Sequence, residues 1–442
     1  MDIDQQKIKQ PNGIYFLFTV EMWERFNYYG MRALLVLFMT KFLMFNTEKA
    51  GTVYGWFTGL VYMTPLIGGY IADRYWGKGK AIIVGCILMA IGQFIMAYTS
   101  VTASVPLFYF SLLVIVIGNG FFKPNIAATV GLLYEKNDPR RDGGFTIFYM
   151  GVNLGAFMAP IVCGTLGERM GWGYGFAAAG VGMLIGLFTF MWGNKRFLGD
   201  KAACPRITNA AGEKSYCHGD APLTKDEKQR IAVIFIMMFF VIFFWASFEQ
   251  AGSSLTLFAE YSTNRVISVG SWTWTIPTTW FQSLNPLFIF MLAPFFARFW
   301  IKLAIANKEP ATVYKFVWGL VLLALGFVVM VGGAYGAAGG KMVGMIWLIG
   351  AYLLHTMGEL CLSPVGLSMV TKLSPLKFTS LLLGVWHLAN FAANLVSGLF
   401  AANYDAMDHA LFFMVPIATA GGAALLLTLL AKPIRRWMHG VH

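Results

Sequence analysis

The stretch Glu21-Met-Trp-Glu24-Arg25-Phe26-Asn-Tyr28-Tyr29-Gly30-Met-Arg32 lies near the start of a hydrophobic run from 14 to 45 that is long enough to cross a bilayer. Ionisable groups inside a membrane helix are costly, so they attach a functional expectation to it. At 100° per residue, Glu21, Arg25, Tyr28 and Arg32 fall within about 60° of one another. They form one polar stripe of mixed sign. Such a stripe must face a protein-lined, watered interior rather than lipid, which points to a transport pathway.

The rest of the chain fits a membrane setting. Of 442 residues, 57% are apolar and 16% aromatic, and only 12% are charged, against about 25% in a typical soluble domain. The first ten residues are polar, and the first apolar run exceeds a signal peptide's apolar core, so that segment is expected to stay as a span. Hydropathy gives twelve candidate spans. They lie near 14–44, 51–73, 80–100, 105–134, 143–167 and 174–194, then 230–259, 281–301, 313–336, 342–371, 378–403 and 409–431.

Charge sets the expected orientation. With both termini cytoplasmic, the cytoplasmic segments and the span ends next to them hold 25 of the 33 Lys and Arg residues, and the external loops with theirs hold five, a strong positive-inside bias. The net charge of +12 then reports topology in a plasma (inner) membrane and calls for no nucleic-acid partner. Cys86, Cys163 and Cys361 fall in spans, where packing explains them. Cys204 and Cys217 are expected to be reduced in the cytoplasm, and the pair Cys217-His218 is too small a set for a metal. A nucleophile elbow, metal cluster or nucleotide loop is not found, so neither an enzyme nor a cofactor is expected.

The longest hydrophilic stretch, 196–229, divides the spans six and six, giving an N-terminal bundle at 1–195 and a C-terminal bundle at 230–442. Thr224 and Glu227 are spaced as a capping box that starts the seventh span. Two six-helix halves joined by a cytoplasmic linker resemble the major facilitator superfamily, an all-α membrane fold of inverted three-helix repeats. Between spans two and three, Gly68-Gly69-Tyr-Ile-Ala-Asp73-Arg74-Tyr-Trp-Gly77-Lys78 resembles that superfamily's cytoplasmic gate signature. The resemblance implies close helix approach at Gly69 and Gly77 and gating ion pairs at Asp73 and Arg74.

Seven charged residues lie well inside the spans: Glu21, Glu24, Arg25, Arg32, Lys123, Glu249 and Glu359. Buried charges must pair or line water. Lys123 precedes Pro124, which frees a backbone carbonyl. Glu249 follows Trp245 by one turn, and His355, Glu359 and Ser363 share one face beside Pro364. The first half thus supplies cations (Arg25, Arg32, Lys123) and the second supplies carboxylates (Glu249, Glu359). A cavity between them would suit a zwitterion, with arginine forks for a carboxylate and a glutamate for an ammonium group.

These residues resemble the proton-dependent oligopeptide transporters of the major facilitator superfamily over nearly the whole chain. The match rests on E-x-x-E-R-F-x-Y-Y-G at 21–30, Phe148-Tyr149-Met-Gly151-Val-Asn153-Leu-Gly155-Ala156, Phe248-Glu249-Gln250, Trp280-Phe-Gln-Ser-Leu-Asn285-Pro286, and Gly358-Glu359-Leu-Cys-Leu-Ser363-Pro364. It implies that Glu21, Glu24 and Arg25 are proton-linked, with Glu249 and Lys123 forming an ion pair between the halves. It further implies that Arg25, Arg32 and Lys123 attract a peptide carboxylate, while Glu359, Asn153 and Asn285 hold its amine. Tyr28, Tyr29, Tyr62, Trp245, Trp386 and Ser363 would line the cavity and side-chain pocket.

Other readings stay open for some of these residues. Tyr62 and Trp386 could be packing, Asn153 and Asn285 could be interhelical hydrogen-bond glue, and His355 and His387 could be either packing or proton groups. Trp272, Trp274 and Trp280 read as an interfacial belt. Two departures from the family stand out: 196–229 cannot supply the two extra helices of many bacterial members, and 51–73 lacks the second-span histidine of animal members. The expected activity is import of di- and tripeptides with protons by alternating access, driven by the proton gradient, with membrane lipid around it and a monomer sufficing. A symporter of another anion or drug on the same scaffold is the alternative.

Overall fold

A computed structural model describes residues 9–135, 138, 140–199, 223–375 and 379–439. The expected cysteines of the cytoplasmic loop, Cys204 and Cys217, and most of the loop itself lie outside the described residues. Among the described residues, twelve helices have 22 residues or more. In the N-terminal part these are α1 (Asn12–Lys41), α2 (Thr47–Ile71), α3 (Lys78–Thr102), α4 (Val105–Gly131), α5 (Arg141–Arg169) and α6 (Trp172–Gly193). After the linker come α7 (Lys225–Phe248), the short α8 (Ser254–Tyr261), α9 (Leu284–Ile305), α10 (Thr312–Gly336), α11 (Ile346–Leu373), α12 (Thr379–Ala401) and α13 (His409–Trp437).

Among the described residues ten spans, with α7 and α8 counted as one, are long and apolar enough to cross a membrane, so this is a multi-pass membrane protein. The two long helices outside that set are α1, which carries the charged stripe, and α2, which is diluted by polar residues and glycine.

The chain forms two compact units. The first comprises residues 1–44 and 60–208, and the second comprises 45–59 and 209–442. The α2 helix is continuous, yet its first half groups with the second unit and its latter half with the first. In the first unit α1 packs on α5 and α6, and α3 packs on α4 and α6. Ile14, Leu17, Val20, Met89, Phe122 and Phe190 form part of its apolar core.

Close backbone contact seats α2 on α4. A Cβ at Gly68 would lie 2.1 Å from the Gly120 carbonyl oxygen. That carbonyl is the one Pro124 leaves without a helical donor, four residues on. Gly69 in turn faces the Pro124 ring. The α2 helix then ends in a widened turn, Ala72–Trp76, closed by Gly77 at φ 76°. In that turn Lys78 Nζ reaches Asp73 Oδ1 at 2.7 Å, and Arg74 Nη1 donates to the Tyr70 hydroxyl at 2.8 Å.

In the second unit α10 packs against α11 and α13, and α7 against α12 and α13. The capping box holds: Glu227 N donates to Thr224 Oγ1 at 3.2 Å, and Thr224 N donates to Glu227 Oε2 at 2.9 Å. The seventh span, expected as one helix over 230–259, is broken. The α7 helix stops at Phe248, Glu249–Gly252 form a 3-10 turn, and α8 resumes at Ser254. Ser253, with φ −127° and ψ −94°, lies off the helix and causes the interruption.

The loop that follows α8 holds strand. Strands β2 (Val266–Val269) and β3 (Trp272–Thr275) pair antiparallel, and β1 (Thr263–Asn264) pairs parallel with β4 (Val343–Gly344). The hairpin stacks Trp272 on Trp274, and Trp280 meets Trp274 edge-on at 5.1 Å.

Gly68→Val drives a branched side chain into the Gly120 carbonyl and should cost about 1–3 kcal/mol by overpacking. Gly422→Ala on α13 meets nothing within 4 Å and should be neutral or gain about 0.5–1 kcal/mol. Thermal unfolding of the detergent-purified variants should give a lowered midpoint for the first and none lowered for the second.

Candidate functional site

The first unit gathers a charged network on α1. Arg25 Nε donates to Glu24 Oε2 at 2.5 Å, and Arg25 Nη2 donates to Glu24 Oε1 at 2.7 Å, a two-pronged contact between sequence neighbours. The same Nε lies 3.4 Å from Glu21 Oε1, one turn back. Asn119 Nδ2 on α4 donates to Glu24 Oε1 at 3.2 Å. Glu21, Glu24 and Arg25 are buried, Glu24 completely. Among the described residues Glu21 Oε2 and Asn119 Oδ1 have no hydrogen-bond partner. Glu24 is therefore held by two residues, while Glu21 keeps one oxygen open.

Glycines on α5 make room for this network. A Cβ at Gly155 would meet the Met22 carbonyl at 2.3 Å and Arg25 Cβ at 2.8 Å, and one at Gly151 would meet the Phe18 carbonyl at 2.7 Å. The segment read as a family match, 148–156, thus brings α5 onto α1 beside Arg25. On the other flank Asn27 Nδ2 donates to the Ala179 carbonyl of α6 at 2.9 Å.

Aromatic rings surround the cations. The Arg25 guanidinium lies 5.2 Å from the Tyr28 ring, and that of Arg32 lies 5.8 Å from Tyr29. Lys123 Nζ stands 4.3 Å from the Tyr62 ring, so in this unit Tyr62 contacts a cation. Asn153 also belongs to the first unit, on α5, and donates to the Tyr149 carbonyl at 3.1 Å.

The second unit holds the carboxylates. Asn285, in the first turn of α9, donates through Nδ2 to Glu359 Oε2 at 2.8 Å and to Thr356 Oγ1 at 3.1 Å. Thr356 Oγ1 donates in turn to the Tyr352 carbonyl at 2.7 Å, one turn back on α11. Glu249 is buried at the break after α7. Its neighbour Gln250 donates to Ser397 Oγ and the Ser397 carbonyl on α12, both at 3.0 Å, and accepts from Ser254 Oγ at 2.6 Å. This polar lock ties the interrupted backbone to α12.

Trp245 and Phe248 meet edge-on at 5.1 Å beside that break. Trp386 on α12 is buried, with Gly366 of α11 against its ring, and Ser363 is half-buried on α11. His355 sits 4.6 Å from the Phe327 ring in space left by Gly326. His387 is exposed on α12.

Asn119 and Thr356 were not singled out from the sequence. Each is one helical turn from a charged residue that was, Lys123 and Glu359 respectively. An uncharged polar residue at such spacing is the available signal, but on its own it also marks ordinary helix packing.

Comparison with known proteins places these features in a family. A family model described as the POT family matches residues 79–207 and 207–414. The peptide transporter YePEPT of Yersinia enterocolitica is 36% identical, covering 97% of this chain and 95% of that one. A di-/tripeptide transporter of Lactococcus lactis subsp. cremoris is 30% identical over 98% of this chain and 97% of its own length. Among solved structures, a peptide transporter POT in complex with sulfate is 33% identical, with TM-score 0.87 over 99% of this chain and all of that one. A POT family transporter in complex with 5-aminolevulinic acid is 28% identical, also with TM-score 0.87, over 97% and 99%. The fold is that of the major facilitator superfamily, and the chain belongs to the POT family, the proton-dependent oligopeptide transporters.

Proposed function

We propose that this chain is a proton-coupled symporter that imports di- and tripeptides across the plasma (inner) membrane by alternating access, with both termini in the cytoplasm and a monomer sufficient. Distribution of 25 of the 33 Lys and Arg residues to one side supports the orientation. The proposed division at the 196–229 linker gives a basic N-terminal half and an acidic C-terminal half. The observation that carries the mechanism is the three-carboxylate arrangement: Glu24 fully engaged by Arg25, Glu21 with an oxygen open beside it, and Glu359 held by a neutral donor.

A carboxylate that takes up a proton loses its charge and so loosens its hold on the shared guanidinium. In the proposed cycle a proton from outside reaches Glu21 or Glu24 and releases Arg25. Arg25, with Arg32 and Lys123, then takes the peptide carboxylate, for which a guanidinium's planar fork is suited. The peptide amine goes to Glu359, oriented by Asn285, with Asn153 as a further polar contact. Glu359 can exchange its neutral hydrogen-bond donor for an ammonium group without losing a buried charge partner. Glu249 and Lys123 would close one side as an ion pair between the halves. Tyr28, Tyr29, Tyr62, Trp245, Trp386 and Ser363 would bound a roomy side-chain pocket, and Asp73 and Arg74 with Gly69 and Gly77 would serve the cytoplasmic gate.

Peptide-transporting relatives support the substrate class. Both peptide termini are common to every di- and tripeptide, so two fixed charged clusters give affinity without side-chain selectivity.

Purified protein in proteoliposomes should take up labelled dipeptides under an inward proton gradient; uptake no greater than in empty vesicles, across several dipeptides, would sink the proposal. Glu359→Gln removes a charge-assisted contact worth roughly 1.5–3 kcal/mol, so dipeptide affinity by scintillation proximity should fall by about tenfold or more. Asn119→Ala strips a donor from buried Glu24. It should lower the thermal midpoint, with a cost of about 1–3 kcal/mol, while leaving peptide counterflow in place.

A further inference from the structure

The second unit contains a cavity that the transport cycle does not use. Its volume is about 970 Å³, and it is bounded by α9, the 306–311 loop, the start of α10, the latter half of α11 and the end of α13. These helix ends belong to one side of the unit, because α9, α11 and α13 finish there and α10 begins there. In the orientation proposed above, that side is cytoplasmic.

The cavity lining mixes two chemistries. Its charged lining residues are Lys315, Lys372 and Arg435 with the single carboxylate Glu309. Glu309 Oε1 is 2.5 Å from Lys315 Nζ, which also lies 4.8 Å from the Trp300 ring. The excess is two positive charges. Phe296, Leu360, Val365 and Met369 add apolar lining. One bounding helix is α9, the least buried of the apolar spans at 6%. Its Phe295, Phe299 and Ile305 are exposed at 66%, 52% and 78%, a surface for acyl chains.

A cavity lining that combines excess positive charge with apolar side chains, next to the exposed aromatics of α9, matches one kind of occupant: a phosphate head with hydrocarbon tails. Basic pockets between spanning helices on the cytoplasmic side hold anionic headgroups. We propose that this cavity is a binding site for an anionic phospholipid of the surrounding leaflet. The phosphate sits between Lys372 and Arg435, beside the Lys315–Glu309 pair, and an acyl chain runs along Phe296 and Val365. The lipid bridges α9 to α10 and α11.

The test is native mass spectrometry of the full-length protein in detergent, titrated with phosphatidylglycerol, phosphatidylcholine or inorganic phosphate. Wild-type protein should retain phosphatidylglycerol in preference to phosphatidylcholine, and millimolar inorganic phosphate should not displace it. Lys372→Gln with Arg435→Gln should weaken phosphatidylglycerol binding by about thirtyfold, taking the usual contribution of a basic residue near an anionic lipid surface. Glu309→Gln removes the one lining carboxylate and should tighten binding by about fivefold, a gain that misfolding cannot imitate. Ala297→Trp, which adds bulk to the lining with all charges kept, should weaken it. Equal retention of the two lipids, an unchanged affinity in the double variant, or displacement by phosphate alone would overturn the assignment. None of these readouts depends on peptide transport, so they stand or fall separately from the proposed cycle.

Discussion

The buried carboxylates of α1 are arranged around one guanidinium. Arg25 is buried, forked onto Glu24 and within 3.4 Å of Glu21. Isolated, any of the three groups would be prohibitively costly to bury; these three pair two carboxylates with one guanidinium. Asn119 lends Glu24 a neutral donor without changing that count.

The packing exists to hold that network at close range. Gly155 and Gly151 let α5 lie directly on α1, with Arg25 at the contact. Pro124 strips a donor from the Gly120 carbonyl, and Gly68 of α2 settles onto that bare oxygen. Lys123, next to Pro124, is then set against Tyr62. In the second unit the interruption at Glu249–Ser253 puts a carboxylate at an irregular piece of backbone, and Gln250 repairs it by bonding to Ser397. Irregular backbone at membrane depth is tolerated where protein surrounds it or where it lines a cavity, and the buried Glu249 stands at such a place.

The sequence carried the broad design because lipid imposes it. Twelve long helices stand where hydropathy put twelve spans, and the Thr224–Glu227 box starts α7 as its spacing required. The charged residues in α1 declared themselves by their cost. What escaped notice had no such cost. The break in the seventh span occurs in the polar run Glu249-Gln250-Ala-Gly-Ser-Ser254, whose composition does not interrupt the hydropathy of the span. The 266–275 hairpin lies outside the spans, where lipid sets no pattern. Asn119 and Thr356 are neutral and inconspicuous, and only three-dimensional contact reveals that they serve Glu24 and Glu359. The glycines of 148–156 were legible as a signature but not as the seat of α5 on Arg25.

The central claim is that proton and peptide share Arg25, so each can move only with the other. It is tested most directly by proteoliposomes loaded with a pH-sensitive dye, given an inward dipeptide gradient and no initial pH difference, with potassium and valinomycin clamping the voltage. The account predicts that the lumen of wild-type vesicles acidifies as peptide enters, and that Glu21→Gln combined with Glu24→Gln abolishes this acidification while peptide exchange continues. Peptide entry without acidification in the wild type, or undiminished acidification in the double variant, would contradict it.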